Sequence, residues 1–416
     1  MPDFFLKKIP PPTEMEKMAA ETGFPAYREA NGHIHTPYSF SAFRDLDEAL
    51  KMARDENIKV LGINDFFVTD GYREFHDRCL AGNVFPLFNI EFIGLMKEEQ
   101  KKGIRINDPN NPGRIYFTGK GLDYPFHLDS LYMTRLNSVK EETQNQLKAM
   151  ISKLNTILAG INPTITLDFE EIKMRYAHHL VRERHITKAV RIAAENHFPG
   201  ADDRKIFLKT LYGGKETKAG FDNPAALENE IRSNLFKAGG RAFVEEDENS
   251  FMDIREIIEI IIDAGGIPCY PVLLDDQAGN YTEFERNNEA LYSILSGMGI
   301  GCIELIPGRN DPDELGRFVR FFDKKGFVVI FGTEHNTPDL APLAVSARGT
   351  RPLDEDLKLI SWKGACVIAA HQYLRANDLQ GYVDIDGMAR SGEKSAFEKT
   401  GRSVIEYFLN QRKNET

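Results

Sequence analysis

The chain lacks a disulfide framework, a basic block, a long apolar run and a glycine-rich phosphate loop, and each absence removes a class of function. Its four cysteines, Cys79, Cys269, Cys302 and Cys366, stand far apart with no Cys-x-x-Cys pair. They read as reduced thiols of a cytoplasmic protein. The formal net charge is −11 and the pI near 5.5, with no run of lysine or arginine. Passive nucleic-acid binding needs a basic footprint, so this balance argues against it, while leaving open an enzyme that acts on a short or single nucleotide. Apolar stretches such as Ile257-Ile258 and Ile260-Ile261-Ile262 are interrupted by acids and far too short to span a bilayer. The opening segment MPDFFLKKIPPPTEMEKMAA lacks the basic-then-apolar order of a signal peptide. Gly213-Gly214-Lys215 reads as a loop, not a P-loop. What is present is a 416-residue chain with 42% hydrophobic residues, enough to bury a large core in two or three structural units.

Several segments repeat one grammar of amphipathic helix, glycine or asparagine stop, and short β-rich run. Asp45 to Glu56 carries Leu46, Ala49, Leu50 and Ala53 on one helical face, Asn57 ends it, and Ile58 to Ile63 reads as a strand. Asp253 to Ala264 precedes a strand at Ile267 to Leu273, Glu283 to Ser296 precedes Cys302 to Ile306, and Asp313 to Lys325 precedes Phe327 to Phe331. Such alternation predicts parallel strands joined by crossover helices. Residues 138–250 break the grammar and predict successive helices over Glu141 to Leu158, Glu170 to Arg191, Asp203 to Tyr212 and Pro224 to Lys237. So long a detour needs secondary structure of its own, and a helical insertion is expected there. Leu357 to Ala376 and Ser395 to Arg412 read as terminal helices. The expected division is an N-terminal segment 1–27, a barrel over 28–345 carrying the 138–250 insertion, and a helical extension over 346–416.

The most informative segment is Asn31-Gly32-His33-Ile34-His35-Thr36-Pro37-Tyr38-Ser39. Residues two apart on an extended backbone point to one side, so His33 and His35 can hold one metal ion between them. Other polar residues also fall at the ends of predicted strands: Asn64-Asp65, Glu91, Tyr270, Glu304 and Glu334-His335. In α/β barrels the C-terminal strand ends are where active sites are assembled, although any strand end also needs polar caps. His76 and Asp77 read as surface residues, His127 as a loop residue, and His197 and His371 as ordinary helix residues.

The ordered set His33-Ile34-His35-Thr36, Asp65, Glu91, Tyr270-Pro271, Glu304 and Gly332-Thr333-Glu334-His335 resembles the PHP (polymerase and histidinol phosphatase) family, from about Ala30 to Pro342. The resemblance implies a distorted TIM-like (β/α)7 barrel of the PHP type, here with the helical insertion and the helical C-terminal extension. It also implies strand ends that bind up to three metals, usually for phosphoester hydrolysis. Three departures stand out. The family's Thr-Asp-His is Asn64-Asp65-Phe66, its His-Pro is Tyr270-Pro271, and its closing Ser-Asp-x-His is Thr333-Glu334-His335-Asn336, with the histidine one place early. Arg114-Ile115-Tyr116-Phe117 occupies the place of a further family histidine.

By this resemblance His33, His35, Glu91 and Glu334 converge on one retained metal, with His335 as a further candidate ligand. Two nitrogens and two carboxylates suit zinc, manganese or iron, and the lost histidines imply fewer than three ions. The segment Arg182-Glu183-Arg184-His185 resembles the family's phosphate-reaching arginine and histidine, which makes Arg184 and His185 candidate substrate contacts. Spacing alone reads them as a solvated basic face. The expected function is hydrolysis of a small phosphorylated metabolite through metal-activated water, with Asp65, Glu91 and Tyr270 as candidate catalytic groups. Two alternatives stay open. One is a catalytically reduced barrel that binds a ligand or partner, supported by Phe66 and Tyr270; the other is a one-metal lyase or isomerase acting on a sugar-like metabolite, with the Tyr270 hydroxyl as acid or base.

Overall fold

Seven strands of the computed structural model, which describes residues 4–15 and 25–411, form one sheet in chain order, and Ser346–Ala347 pairs with Arg351–Pro352 in a separate two-stranded one. The seven are β1 (Ala30–Ile34), β2 (Val60–Phe66), β3 (Phe85–Leu95), β4 (Arg114–Lys120), β5 (Ile267–Val272), β6 (Cys302–Leu305) and β7 (Val328–Phe331). The sheet curls until its ends meet at an Ile34–Glu334 bridge, where the His35 amide donates to the Glu334 carbonyl at 2.7 Å. The result is a distorted TIM-like barrel. Part of the predicted segment 1–27, and Arg412 at the predicted end of the last helix, lie outside the described residues.

Uniformly parallel pairing is the one topological expectation that fails. β4 runs antiparallel to both β3 and β5, while β1–β2–β3 and β5–β6–β7 are parallel. The link from β3 to β4 carries only a five-residue helix, Lys97–Lys101, and antiparallel neighbours need no crossover helix. Elsewhere the helices match their local chemistry. Asp45 caps Leu46–Asp55 by accepting from the Glu48 amide, and the buried face is Leu46, Ala49, Leu50 and Ala53. Asp253 caps Ile254–Asp263 in the same way. The helix expected from Glu283 starts only at Asn288, behind an Asn287 cap, because the acids before it are engaged elsewhere. Glu283 pairs with Arg105, and Glu285 turns inward to Tyr270.

The helical region has a core of its own, in which Met150, Leu154, Ile186, Val190, Leu208, Leu227 and Ile231 pack together. Its first helix begins at Ser130, eleven residues before the predicted Glu141. The single helix expected over Glu170 to Arg191 is two, Phe169–Tyr176 and Glu183–His197. The second starts where the Arg182 amide donates to His185 Nδ1 at 2.9 Å, a side-chain cap that fixes the break.

Two terminal helices complete the fold. Glu355–Ala376 is buried on nearly every side and packs along β7, where the Phe331 amide donates to Ser361 Oγ at 3.0 Å. Gly364 permits that approach, since a Cβ there would lie 2.0 Å from the Val329 carbonyl oxygen. His371, expected as an ordinary helix residue, is buried with Nε2 against the Gly265 carbonyl at 2.6 Å. Lys394–Gln411 packs on this helix at Gly401. His76, expected at the surface, is 6% exposed and stacks on Tyr124. Among the described residues no helix is long and apolar enough to cross a membrane.

Candidate metal centre

His33 is the last residue but one of β1, and the extended backbone just past the strand returns His35 to the same side. Glu91 joins them from β3, where it pairs with Phe66 of β2. His33 Nε2 and His35 Nε2 lie 3.2 Å apart, and Glu91 Oε2 lies 3.9 and 3.0 Å from them. All three residues are at most 2% exposed.

The hydrogen bonds behind these rings decide what faces the gap between them. His33 Nδ1 lies 2.9 Å from Glu304 Oε2, a carboxylate oxygen that can only accept, so Nδ1 carries the proton. Ser39 Oγ donates to Asp65 Oδ1 at 2.6 Å, which leaves its oxygen to accept from His35 Nδ1 at 3.3 Å. Both Nε2 atoms therefore present lone pairs. Glu91 Oε2 is buried with no hydrogen-bond donor. Asn64 Nδ2 lies 3.1 Å from His33 Nε2 and 3.2 Å from His33 Nδ1, an amide donor within hydrogen-bond reach of the ring edge. Three acceptors thus converge in a buried site, and the unpartnered Glu91 Oε2 among them calls for a proton or a cation. Donors held about 2.0–2.2 Å from one ion would keep separations of this size. The residues fit a divalent metal.

Electrostatics agree. Burial lowers the pKa of His33 and puts that of His35 well below the usual imidazole value, so both rings stay neutral, as ligation requires. Burial pushes Glu91 up to about 7, against the pull of His33. A proton and a metal ion therefore compete for the same carboxylate.

The remaining candidates are placed differently. Asp65 does not face the gap; its oxygens accept from the Thr36 amide at 2.8 Å, Thr36 Oγ1 at 2.5 Å and Ser39 Oγ. It fastens the loop behind His35, and burial pushes it up to about 7 although those hydrogen bonds oppose the shift. Glu334 pairs closely with Arg309 instead of joining the trio, and both Glu334 and His335 hold left-handed backbone, with φ of 69° and 57°. His335 is corrected as a ligand: Nδ1 meets Thr333 Oγ1 at 2.9 Å, and Nε2 meets the Ala341 carbonyl at 2.8 Å. Tyr270 is corrected as a rim residue. Strand alternation turns it out of the barrel into the core shared with Ile303 and Phe331, and its hydroxyl donates to Glu285 Oε1 at 2.7 Å.

Arg184 points away from the centre, to Asn229 Oδ1 at 2.8 Å. Arg182 is the arginine turned toward it. Its guanidinium lies 4.5 Å from the Phe66 ring centre, and the Phe66 ring in turn stacks on His35 at 4.6 Å. His185 is buried against Phe40 beside a cleft of about 610 Å³ that Arg44, Lys173, Arg175 and Lys188 also line. Sequence reasoning missed Lys120 and Arg309. Alternation of Tyr116, Thr118 and Lys120 along β4 was the available signal for the first; Arg309 follows β6 in a loop and had none.

No protein-family model matches the chain. Over 78 residues it is 32% identical to DNA polymerase III subunit alpha of Staphylococcus aureus strain MRSA252, covering 16% of this chain and 7% of that subunit. The same subunit from strain Mu50 matches at 34% over 59 residues, 14% of this chain and 6% of the subunit. The matched stretch therefore spans only a small part of those curated relatives. Among solved structures, a protein assigned as a metal-dependent phosphoesterase from Bifidobacterium adolescentis superposes with a TM-score of 0.51 at 13% identity, covering 79% of this chain and 93% of that one. An amidohydrolase from Chromobacterium violaceum, solved with sulfate and no metal, gives 0.48 at 16% identity, with 77% and 93% covered. The first of these structural likenesses carries the fold, and with the polymerase matches it agrees with a divergent PHP-like barrel.

Proposed function

We propose that this protein is a metal-dependent hydrolase, a phosphoesterase of a small phosphorylated metabolite, built on a single divalent ion held by His33, His35 and Glu91. The observation that carries the proposal is the meeting of three acceptor atoms in one buried gap, two imidazole Nε2 lone pairs and Glu91 Oε2, the last with no hydrogen-bond partner. When bound, zinc, manganese or iron would polarise a phosphoryl oxygen and acidify a water. The other tasks belong to the chain. Glu304 and Ser39 fix the two tautomers. Arg182 and Arg309 supply fixed positive charge beside the centre, where an anionic phosphate would be held. Phe66 shields His35 from water.

The likeness to a protein assigned as a phosphoesterase supports the reaction class. The acidic overall balance supports a small substrate over a polymer. Four buried free thiols suit a reducing, cytoplasmic setting. A second reading, a catalytically reduced barrel that binds without turnover, is favoured by one observation: all three residues are at most 2% exposed behind Phe66. The lyase or isomerase reading loses its acid–base group, because the Tyr270 hydroxyl is committed to Glu285.

Elemental analysis of the purified protein, paired with a screen of phosphorylated metabolites for phosphate release, separates these readings. One transition metal per chain, lost in His33→Ala/His35→Ala, together with phosphate release that the variant lacks, supports the hydrolase. Metal without turnover of any phosphoester supports the binding module. No metal, even after reconstitution with manganese, zinc or iron, overturns the centre.

A further inference from the structure

Lys120 has no part in the reading above, yet it is a fully buried ammonium inside the barrel. It is 0% exposed at the end of β4, with Nζ 2.5 Å from Glu304 Oε2 and 3.1 Å from Asn64 Oδ1. A methionine would fill the same volume without a charge, so packing does not ask for lysine. The demand comes from Glu304. That carboxylate is 1% exposed, its second oxygen has no partner at all, and its Oε2 accepts from both His33 Nδ1 and the Lys120 ammonium. A buried carboxylate without a countercharge is strongly destabilising, so the space between β2, β4 and β6 has to contain a cation. Its walls are oxygens, Glu304 Oε1 and Oε2 and Asn64 Oδ1, which is how a hard or borderline metal ion is walled.

We propose that the Lys120 ammonium is a resident cation standing where a second metal ion would otherwise bind, so that the centre takes one divalent ion and not two. Lys120 is in this sense a positioning residue. It neutralises Glu304, Glu304 orients His33, and His33 offers Nε2 to the single ion. The inference rests on the metal-centre reading above.

The test counts ions. Metal-stripped wild type, Lys120→Ala and Lys120→Ser are saturated with Mn2+, passed through gel filtration, and assayed for manganese per chain, with folding followed by circular dichroism and the bound ions by electron paramagnetic resonance. The expected result is one ion with an isolated spectrum in wild type, and two ions with a spin-coupled spectrum in both variants. Variants that fold only when Mn2+ is present also support the proposal. Counts equal to that of wild type overturn it, as do two ions on wild type, or variants that stay unfolded in Mn2+. No ion on wild type overturns the metal-centre reading instead, and whether the variants then gain one still decides the role of Lys120.

Discussion

Glu304→Gln tests the chain of dependence from Lys120 to the metal. Glutamine keeps the size of the side chain and one acceptor oxygen, but it removes the charge that two neighbours use. His33 Nδ1 loses its charge-assisted partner at 2.9 Å, and Lys120 Nζ loses its countercharge at 2.5 Å. Hydrogen-bonding partners behind a metal-bound histidine are worth about 10–100-fold in metal affinity, which is about 1.4–2.7 kcal/mol. Breaking a buried ion pair from one side costs about 3–5 kcal/mol. The lower end applies here because Asn64 Oδ1 still accepts from Lys120. Both partners are at most 1% exposed, so solvent screening does not reduce this figure. For a 416-residue chain, about 3 kcal/mol corresponds to a Tm lower by about 3 °C, at about 2 cal/mol/K per residue.

The assay is Mn2+ or Zn2+ titration against a competing chelator, alongside thermal melts of metal-free protein. The double variant Glu304→Gln/Lys120→Met separates the two effects. Neutralising both partners should bring stability to within about 1 kcal/mol of wild type, while affinity stays at the reduced level of the single variant. Wild-type affinity in Glu304→Gln would show that Glu304 does not set the His33 tautomer, and the reasoning would fail at that step.

Three further outcomes are expected. Because burial holds Glu91 near 7, protons compete with metal at that oxygen. Apparent metal affinity should fall about tenfold per pH unit below pH 7 and level off above it, a slope that Glu91→Gln abolishes. The metal-free protein should lose stability as pH rises from about 4 toward 7. Asp65, Glu91 and Glu285 have folded pKa values raised to about 7, so the folded state binds more protons than the unfolded one across that window; a denaturant series flat across it would contradict the burial argument. Arg182→Met should weaken binding of a phosphorylated ligand by about 10–100-fold through loss of a charged hydrogen-bond donor, whereas Arg184→Met, whose guanidinium bonds Asn229, should change it less than threefold or so. Calorimetry with each variant checks the contrast.

The barrel was legible wherever helix and strand carry different periods. The four apolar residues spaced along Leu46–Asp55 and the run at Val328–Phe331 each admit one reading, and the structure follows it. β4 was not legible, because its antiparallel pairing depends on neighbours distant in sequence: Ile90 to Leu95 on one side and Ile267 to Cys269 on the other. Within the site, the meeting of His33, His35 and Glu91 was anticipated because two of them share a motif and the third follows the apolar run Phe85 to Ile90, although β3 continues past it to Leu95. Tyr270 and His335 were misjudged for a common reason. A motif position fixes the backbone, but strand alternation and two left-handed residues decide where the side chain goes. Lys120 was missed because a lone lysine at a strand end looks like a surface residue until Glu304 and Asn64 are seen around it.

The two kinds of departure from the PHP pattern belong together. The resemblance leads one to expect histidine where Phe66 stands, and further histidines that this chain does not carry. What remains is positive charge carried by side chains. Arg182 lies over the outer face of Phe66, Lys120 is buried against Glu304, and Arg309 pairs with Glu334 at the rim. Each cation is anchored by a partner that would otherwise be an uncompensated carboxylate or an exposed aromatic face. Replacing metal ligands by apolar residues alone would have left Glu91, Glu304 and Glu334 as a buried negative cluster that repels phosphate. With the three cations in place, the field in the barrel mouth stays attractive to an anion even if only one metal ion binds. Loss of ligands in this chain therefore does not imply loss of anion binding. It predicts a centre in which phosphate affinity depends more on ionic strength, and less on metal saturation, than it would where several ions do the holding.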